Sequence, residues 1–185
     1  MDITLTRLPG VVIITPRVFS DDRGFFEETW HRDRYAEAGL PTHFVQANHS
    51  RSSSGVLRGL HSQIKHPQGK LVGAITGTIW DVAVNVDPDS SHFKQWVGVE
   101  LSEHNHQQLY IPPGFLHGFV VLSERADVLY KCTDLYAPGD ELGVAWDDPE
   151  LGIEWPVDKL KTQTPILSEA DQNNPSLTAY LERTR

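Results

Sequence analysis

Between residues 70 and 135 the chain is a succession of short runs, at 70–76, 78–86, 96–102, 108–111, 117–122 and 127–135. They are rich in alternating apolar residues, divided by Gly, Pro, Asn and Asp, and none repeats at helical spacing. Runs this short bury an apolar face only by pairing into sheets that pack on one another, so the pattern predicts a mainly β chain, a sandwich or barrel of jelly-roll type. Residues 11–14, closed by Pro16, and residues 44–50 read as further strands. The stretch 19–30, FSDDRGFFEETW, places an Asp-Arg-Gly turn between aromatic residues and reads as a half-buried edge. Short helices are expected near both ends. Residues 33–38 run into the stop signals Gly39 and Pro41, and residues 176–183 follow Asn174-Pro175. The C-terminal third turns irregular around Trp146, Trp155 and Pro156. With no repeat, linker or low-complexity tract in its 185 residues, the chain is expected to form a single domain, 1–185.

Charge and composition narrow the function classes. A net charge of −9 with no Lys/Arg-rich run argues against a nucleic-acid surface, because phosphate contacts dominate that affinity. No apolar run reaches the length of a membrane span and no basic-then-apolar leader opens the sequence, so a soluble cytoplasmic protein is expected. The single Cys132 cannot form an intrachain disulfide and lies in a β-pattern, where a small buried residue is expected. An anionic small ligand would be opposed by the global field, so Arg23, Arg58 and Lys70 would have to create a local positive pocket.

The stretch 56–72, VLRGLHSQIKHPQGKLV, sets an arginine, a histidine and a lysine into apolar strand runs. His66-Pro67-Gln68-Gly69 carries turn chemistry that would fold the second run back and bring Lys70 toward His61. Strict alternation puts Arg58 and His61 on opposite faces. Both can line one cavity only with an extra residue in the strand, and Gly59 is the place for such a bulge. A histidine in a β-run is more often a satisfied core or surface residue, so this stretch alone does not establish a site. In 44–50, Gln46 and Asn48 share one face. They either satisfy a sheet edge or offer two amides to a hydroxyl-rich or base-like ligand. His104-Asn105-His106 reads as a solvated turn rather than a metal site, since no third ligand lies near it in sequence.

Taken together, Asp22-Arg23-Gly24-Phe25-Phe26-Glu27-Glu28, Gln46-Ala47-Asn48, Leu57-Arg58-Gly59-Leu60-His61-Ser62-Gln63, Lys70-Leu71-Val72, Pro113-Gly114-Phe115-Leu116-His117-Gly118-Phe119, Tyr130-Lys131-Cys132-Thr133-Asp134 and Ile153-Glu154-Trp155-Pro156 closely resemble the dTDP-4-dehydrorhamnose 3,5-epimerases. The match is co-linear from about Asp22 to Asp171. The resemblance implies a cupin-type jelly roll, a homodimer and no cofactor, and the lack of a ligand set in 56–72 adds the expectation of no metal. It also implies inversion of the two carbons flanking the ketone of a dTDP-linked 4-keto-6-deoxy sugar, a step of dTDP-rhamnose biosynthesis. Carried onto this sequence, it makes His61 the base, Tyr130 the acid, Asp171 the partner orienting His61, and Lys70 the group beside the developing enolate oxygen. Arg23, Glu28, Gln46, Asn48, Arg58, His117 and Glu141 match substrate contacts, and the segment bearing Arg23 and Glu28 is expected to reach the neighbouring subunit's site.

Plainer readings stand beside these. Ser168-Glu169-Ala170-Asp171 fits a capping box, Tyr130 an ordinary cross-strand aromatic, and His117 a core histidine beside a Pro-Gly turn. The sequence also departs from the family pattern. Ser62 stands where an aromatic is usual, Ala170 where a lysine is common, and Asn85 and Asp87 where Asp and Arg are common. A metal-dependent cupin would show His-x-His and then a carboxylate, whereas His61-Ser62-Gln63 is followed by no Asp or Glu through Gly69. A sugar-binding module would need neither an acid nor a base, so His61 together with Tyr130 favours the enzyme. Relatives that invert a single carbon share the same motifs.

Overall fold

The computed structural model describes residues 1–184. In chain order its strands are β1 (Asp2–Leu5), β2 (Val12–Thr15), β3 (Val18–Asp21), β4 (Gly24–Glu27), β5 (Gln46–Ser53), β6 (Leu57–Gln63), β7 (Lys70–Thr76), β8 (Thr78–Asn85), β9 (Trp96–Ser102), β10 (Gln108–Ile111), β11 (Phe115–Val121), β12 (Arg125–Cys132) and β13 (Glu141–Gly143). Helix α1 (Arg32–Glu37) precedes β5, and α2 (Glu169–Gln172) and α3 (Leu177–Thr184) close the chain. The strands form a six-stranded sheet, β1-β2-β10-β7-β12-β5, and a five-stranded sheet, β13-β6-β11-β8-β9, both antiparallel. The two sheets make the jelly-roll sandwich that the run pattern predicts. Among the described residues no helix is long and apolar enough to cross a membrane.

Alternation decides what each sheet buries. On β7, Val72 and Ala74 enter the core between the sheets, while Leu71 packs on the outer side with Val12, Ile14, Tyr35 and Tyr110. On β8, Ile79 and Ala83 face the six-stranded sheet, whereas Val82 and Val84 face the C-terminal segment, where Leu151, Trp155, Leu160, Leu177 and Tyr180 cover them. Strand β8 is therefore apolar on both sides, and Asp81, on its inter-sheet side with no exposed surface, stands out as a buried charge. Trp155 is fixed by donating from Nε1 to the Trp146 carbonyl at 2.8 Å, so the irregular third acts as a cover for the sheet.

Two expectations are corrected. The turn at 66–69 does not make a hairpin, because β6 belongs to the five-stranded sheet and β7 to the six-stranded one. The connection crosses the sandwich, and Lys70 reaches His61's cavity from the opposite wall. The hairpin of β3 and β4 is more exposed than a half-buried edge: Phe25 and Phe26 are 60% and 68% accessible, and the two strands pair only with each other.

Candidate active site

A cavity of about 620 Å³ opens between the sheets. The five-stranded sheet contributes Arg58 and His61 from β6 and His117 from β11. The six-stranded sheet contributes Gln46 and Asn48 from β5, Lys70 from β7 and Tyr130 from β12, and Glu141 of β13 and Asp171 of α2 also line it. Of the residues singled out in the sequence, only Arg23 and Glu28 lie elsewhere. Arg23 is at the exposed tip of the β3–β4 hairpin, bonded to Asp21. Glu28 accepts from Arg34 Nη1 at 2.6 Å beside α1.

Arg58 and His61 share the cavity because β6 breaks its alternation. His117 of β11 faces His61 and Phe119 faces Arg58, with a register shift between them. The irregularity sits at Gly59, whose φ is +116°. A Cβ there would lie 2.6 Å from the Gly118 Cα and 2.7 Å from the His117 carbonyl oxygen. Glycine is thus required twice, for the dihedral and for the close approach of β11.

Two histidine–aspartate pairs follow from that register. His61 Nε2 meets Asp171 Oδ1 at 2.6 Å, and beside it on β11 His117 Nε2 meets Asp81 Oδ1 at 2.8 Å. Asp171 meets His61 from within the turn that Ser168 caps, but its side chain does not itself close a capping box, because it takes the Ser168 hydroxyl rather than the Ser168 N–H. Ser168 is the N-cap of α2, accepting from the Asp171 N–H at 3.1 Å, and its hydroxyl donates to Asp171 Oδ2 at 2.8 Å. The cap thereby turns the other carboxylate oxygen toward His61. Burial alone would raise the Asp171 carboxyl, but bonds from His61 and Ser168, and the Gly59 backbone, together hold it below its usual 3.8. Burial pushes His117 below 6.5 despite Asp81, and Lys70 and His61 push the same way, so His117 is favoured neutral.

On the facing wall, burial lowers Lys70 from its ordinary value, against the pull of Cys132, Glu141 and Asp81. Among the described residues no carboxylate forms an ion pair with it. Burial likewise raises the Tyr130 phenol, which keeps its proton available at neutral pH. Gln46 Nε2 donates to Asn48 Oδ1 at 2.9 Å, so the two amides are neighbours as the alternation predicts. Among the described residues no three His, Cys, Asp or Glu side chains gather as a metal-ligand set.

Two residues at the site, Asp81 behind His117 and Ser50 in the cavity lining, carried no signal in the sequence. Asp81 sits in an otherwise apolar run, and Ser50 continues the Gln46–Asn48 face with a buried hydroxyl that has no protein partner. Ser168 was legible as a cap. Of the departures from the family pattern, only Ala170 lines the cavity. Ser62 points away from it and meets the Tyr180 hydroxyl at 2.8 Å, and the buried Asn85 accepts through Oδ1 from the Asp87 N–H in the turn after β8. His106 is not a solvated turn residue. It lies half-buried with Nδ1 3.1 Å from Glu27 Oε2, its ring edge-on to Phe25.

A jelly roll that sets His61 and Tyr130 on facing walls of one cavity, taken with the comparisons that follow, places the chain among isomerases of the cupin-like fold. The family model described as dTDP-4-dehydrorhamnose 3,5-epimerase matches residues 5–179, and the chain belongs to that family. A dTDP-4-dehydrorhamnose 3,5-epimerase of Pseudomonas aeruginosa is 53% identical over 93% of both chains. The crystal structure of dTDP-6-deoxy-D-glucose-3,5-epimerase from Legionella pneumophila, in complex with dTDP-4-keto-L-rhamnose, superposes with a TM-score of 0.91 at 46% identity, covering 96% of this chain and 93% of that one. A protein of Streptomyces niveus named dTDP-4-dehydrorhamnose 3-epimerase is 39% identical, over 90% of this chain and 79% of its own.

Proposed function

We propose that the protein converts dTDP-4-dehydro-6-deoxy-D-glucose to dTDP-4-dehydro-L-rhamnose by inverting carbons 3 and 5, in dTDP-rhamnose biosynthesis. The observation that carries this reading is the placement of His61 and Tyr130 on opposite sheets of the sandwich. A C–H beside a ketone is a very weak acid, and a base working near neutrality removes its proton only if the enolate is stabilised as it forms. His61 takes the proton, and Asp171 fixes its tautomer and stabilises the imidazolium. Lys70 stands beside the developing oxyanion. Inversion requires the new proton to reach the other face of the ring, and Tyr130, protonated and across the cavity, supplies it. Base, oxyanion donor and acid are all side chains, so the reaction needs no metal or cofactor. Arg58, Gln46, Asn48, His117 and Glu141 hold the substrate.

The protein works as a homodimer of single-domain subunits, in which Arg23 and Glu28 serve the neighbouring cavity. A single chain leaves them away from its own cavity and leaves Phe25 and Phe26 on an uncovered hairpin. The one cysteine, buried and unpaired, fits a cytoplasmic protein. The higher identity to the 3,5-epimerase than to the 3-epimerase favours inversion of both carbons. Incubating the 4-keto sugar nucleotide with the protein in heavy water and locating deuterium by NMR tests the reading. Label at carbons 3 and 5 of the epimerised product is expected, and label confined to carbon 3 reduces the enzyme to a single-carbon epimerase.

A further inference from the structure

The chain carries −9 overall, and among the described residues the only lysine and arginine in the cavity lining are Lys70 and Arg58. A diphosphate entering the cavity depends on these local charges. Arg58 is held differently from the ion-paired arginines; Arg7, outside the cavity lining, also bonds a neutral acceptor, the Trp96 carbonyl. On the opposite face of β5, Arg51 gives its Nε and Nη2 to Asp127. Arg23, Arg32 and Arg34 likewise bond carboxylates. Arg58 instead donates from Nε to the Ser52 hydroxyl at 3.0 Å, and among the described residues its Nη groups bond nothing and no carboxylate lies within ion-pair range. Ser52 is 7% exposed and sits two places along β5 from Ser50, on the side that carries Gln46 and Asn48. A carboxylate at this place would orient the guanidinium and cancel its charge, whereas a neutral hydroxyl orients it and leaves the charge whole.

We propose that Ser52 is a positioning residue for the diphosphate of the nucleotide-linked substrate: by accepting from Arg58 Nε, it presents the two Nη groups to the cavity as a fork for phosphate oxygens. The inference rests on the proposed function, in which Arg58 is a substrate contact.

Calorimetric titration of the full-length protein with dTDP and with thymidine separates a phosphate role from a packing role. Ser52→Ala is expected to weaken dTDP about ten-fold, the order of one hydrogen bond to a charged group, and to leave thymidine unchanged. Ser52→Thr, which keeps the hydroxyl, restores dTDP affinity. In an Arg58→Ala background, Ser52→Ala costs nothing further. Undiminished dTDP binding by Ser52→Ala, an equal loss for thymidine, or the same loss without Arg58 each overturns the inference. Wild-type protein that does not bind dTDP, or Arg58→Ala protein that binds it as wild type does, strikes at the functional reading and removes this inference with it.

Discussion

Lys70 presents a burial-weakened ammonium to the cavity without a carboxylate partner among the described residues, so little of the fold depends on its charge. Lys70→Met is expected to fold with a near wild-type melting temperature and to turn over about a hundred-fold more slowly, the scale of a lost oxyanion donor, while substrate binding weakens less. Near wild-type turnover at saturating substrate would demote Lys70 to a binding contact. His117 makes a prediction about stability. Burial holds it below its usual 6.5, so as pH falls past about 6.5 the unfolded chain takes up a proton that the native state refuses. Its contribution is therefore fully present above that pH and is lost progressively below it. Between about pH 7 and pH 5 the melting temperature of His117→Gln should fall less than that of wild type, and an equal fall would show that His117 is not held neutral.

Strand β6 serves the site only through its irregularity at Gly59. An alanine there meets the β11 backbone at 2.6 Å and must adopt a φ of +116°, so Gly59→Ala is expected to cost about 2–4 kcal/mol in denaturant unfolding. A loss below about 0.5 kcal/mol, the scale of an ordinary surface change, would mean that β6 accommodates a side chain there and that the bulge is not what joins Arg58 to His61. This bulge was legible in the sequence because alternation, broken between two candidate residues by a glycine, leaves few other solutions. Strands β7, β9 and β10 were legible at their observed bounds for a related reason, since each is an alternating run with breakers at its ends. Strand β1, largely exposed, and β13, three residues long, carry too little apolar pattern to be read. Which sheet β6 and β7 join is set by pairing with β11, β13, β10 and β12, far along the chain, so local turn chemistry at 66–69 read as a hairpin what is a crossing between sheets. The meeting of Asp171 with His61, across 110 residues, had no local signal and came from resemblance alone.

At the scale of the whole molecule, the placement of Arg23 and Glu28 away from the cavity predicts that the working unit is larger than one chain. A subunit carrying Arg23→Ala and Glu28→Ala and a subunit carrying His61→Asn should each be nearly inactive. Mixed and reassembled in equal amounts they should recover about a quarter of wild-type activity, since half the dimers are mixed and one of two sites in each is intact. No recovery on mixing would confine each site to a single chain. The facing sheets give the sharpest test of the proposed mechanism, because they set His61 on one wall and Tyr130 on the other. Tyr130→Phe leaves His61 able to form the enolate but removes the proton from the opposite face, so the enolate can be requenched only from the His61 side. Substrate treated with this variant in heavy water should therefore return labelled and with unchanged configuration, exchange outrunning inversion by about a hundred-fold or more, the scale of a lost general acid. Exchange and inversion lost in equal measure would contradict the assignment of acid and base to opposite walls.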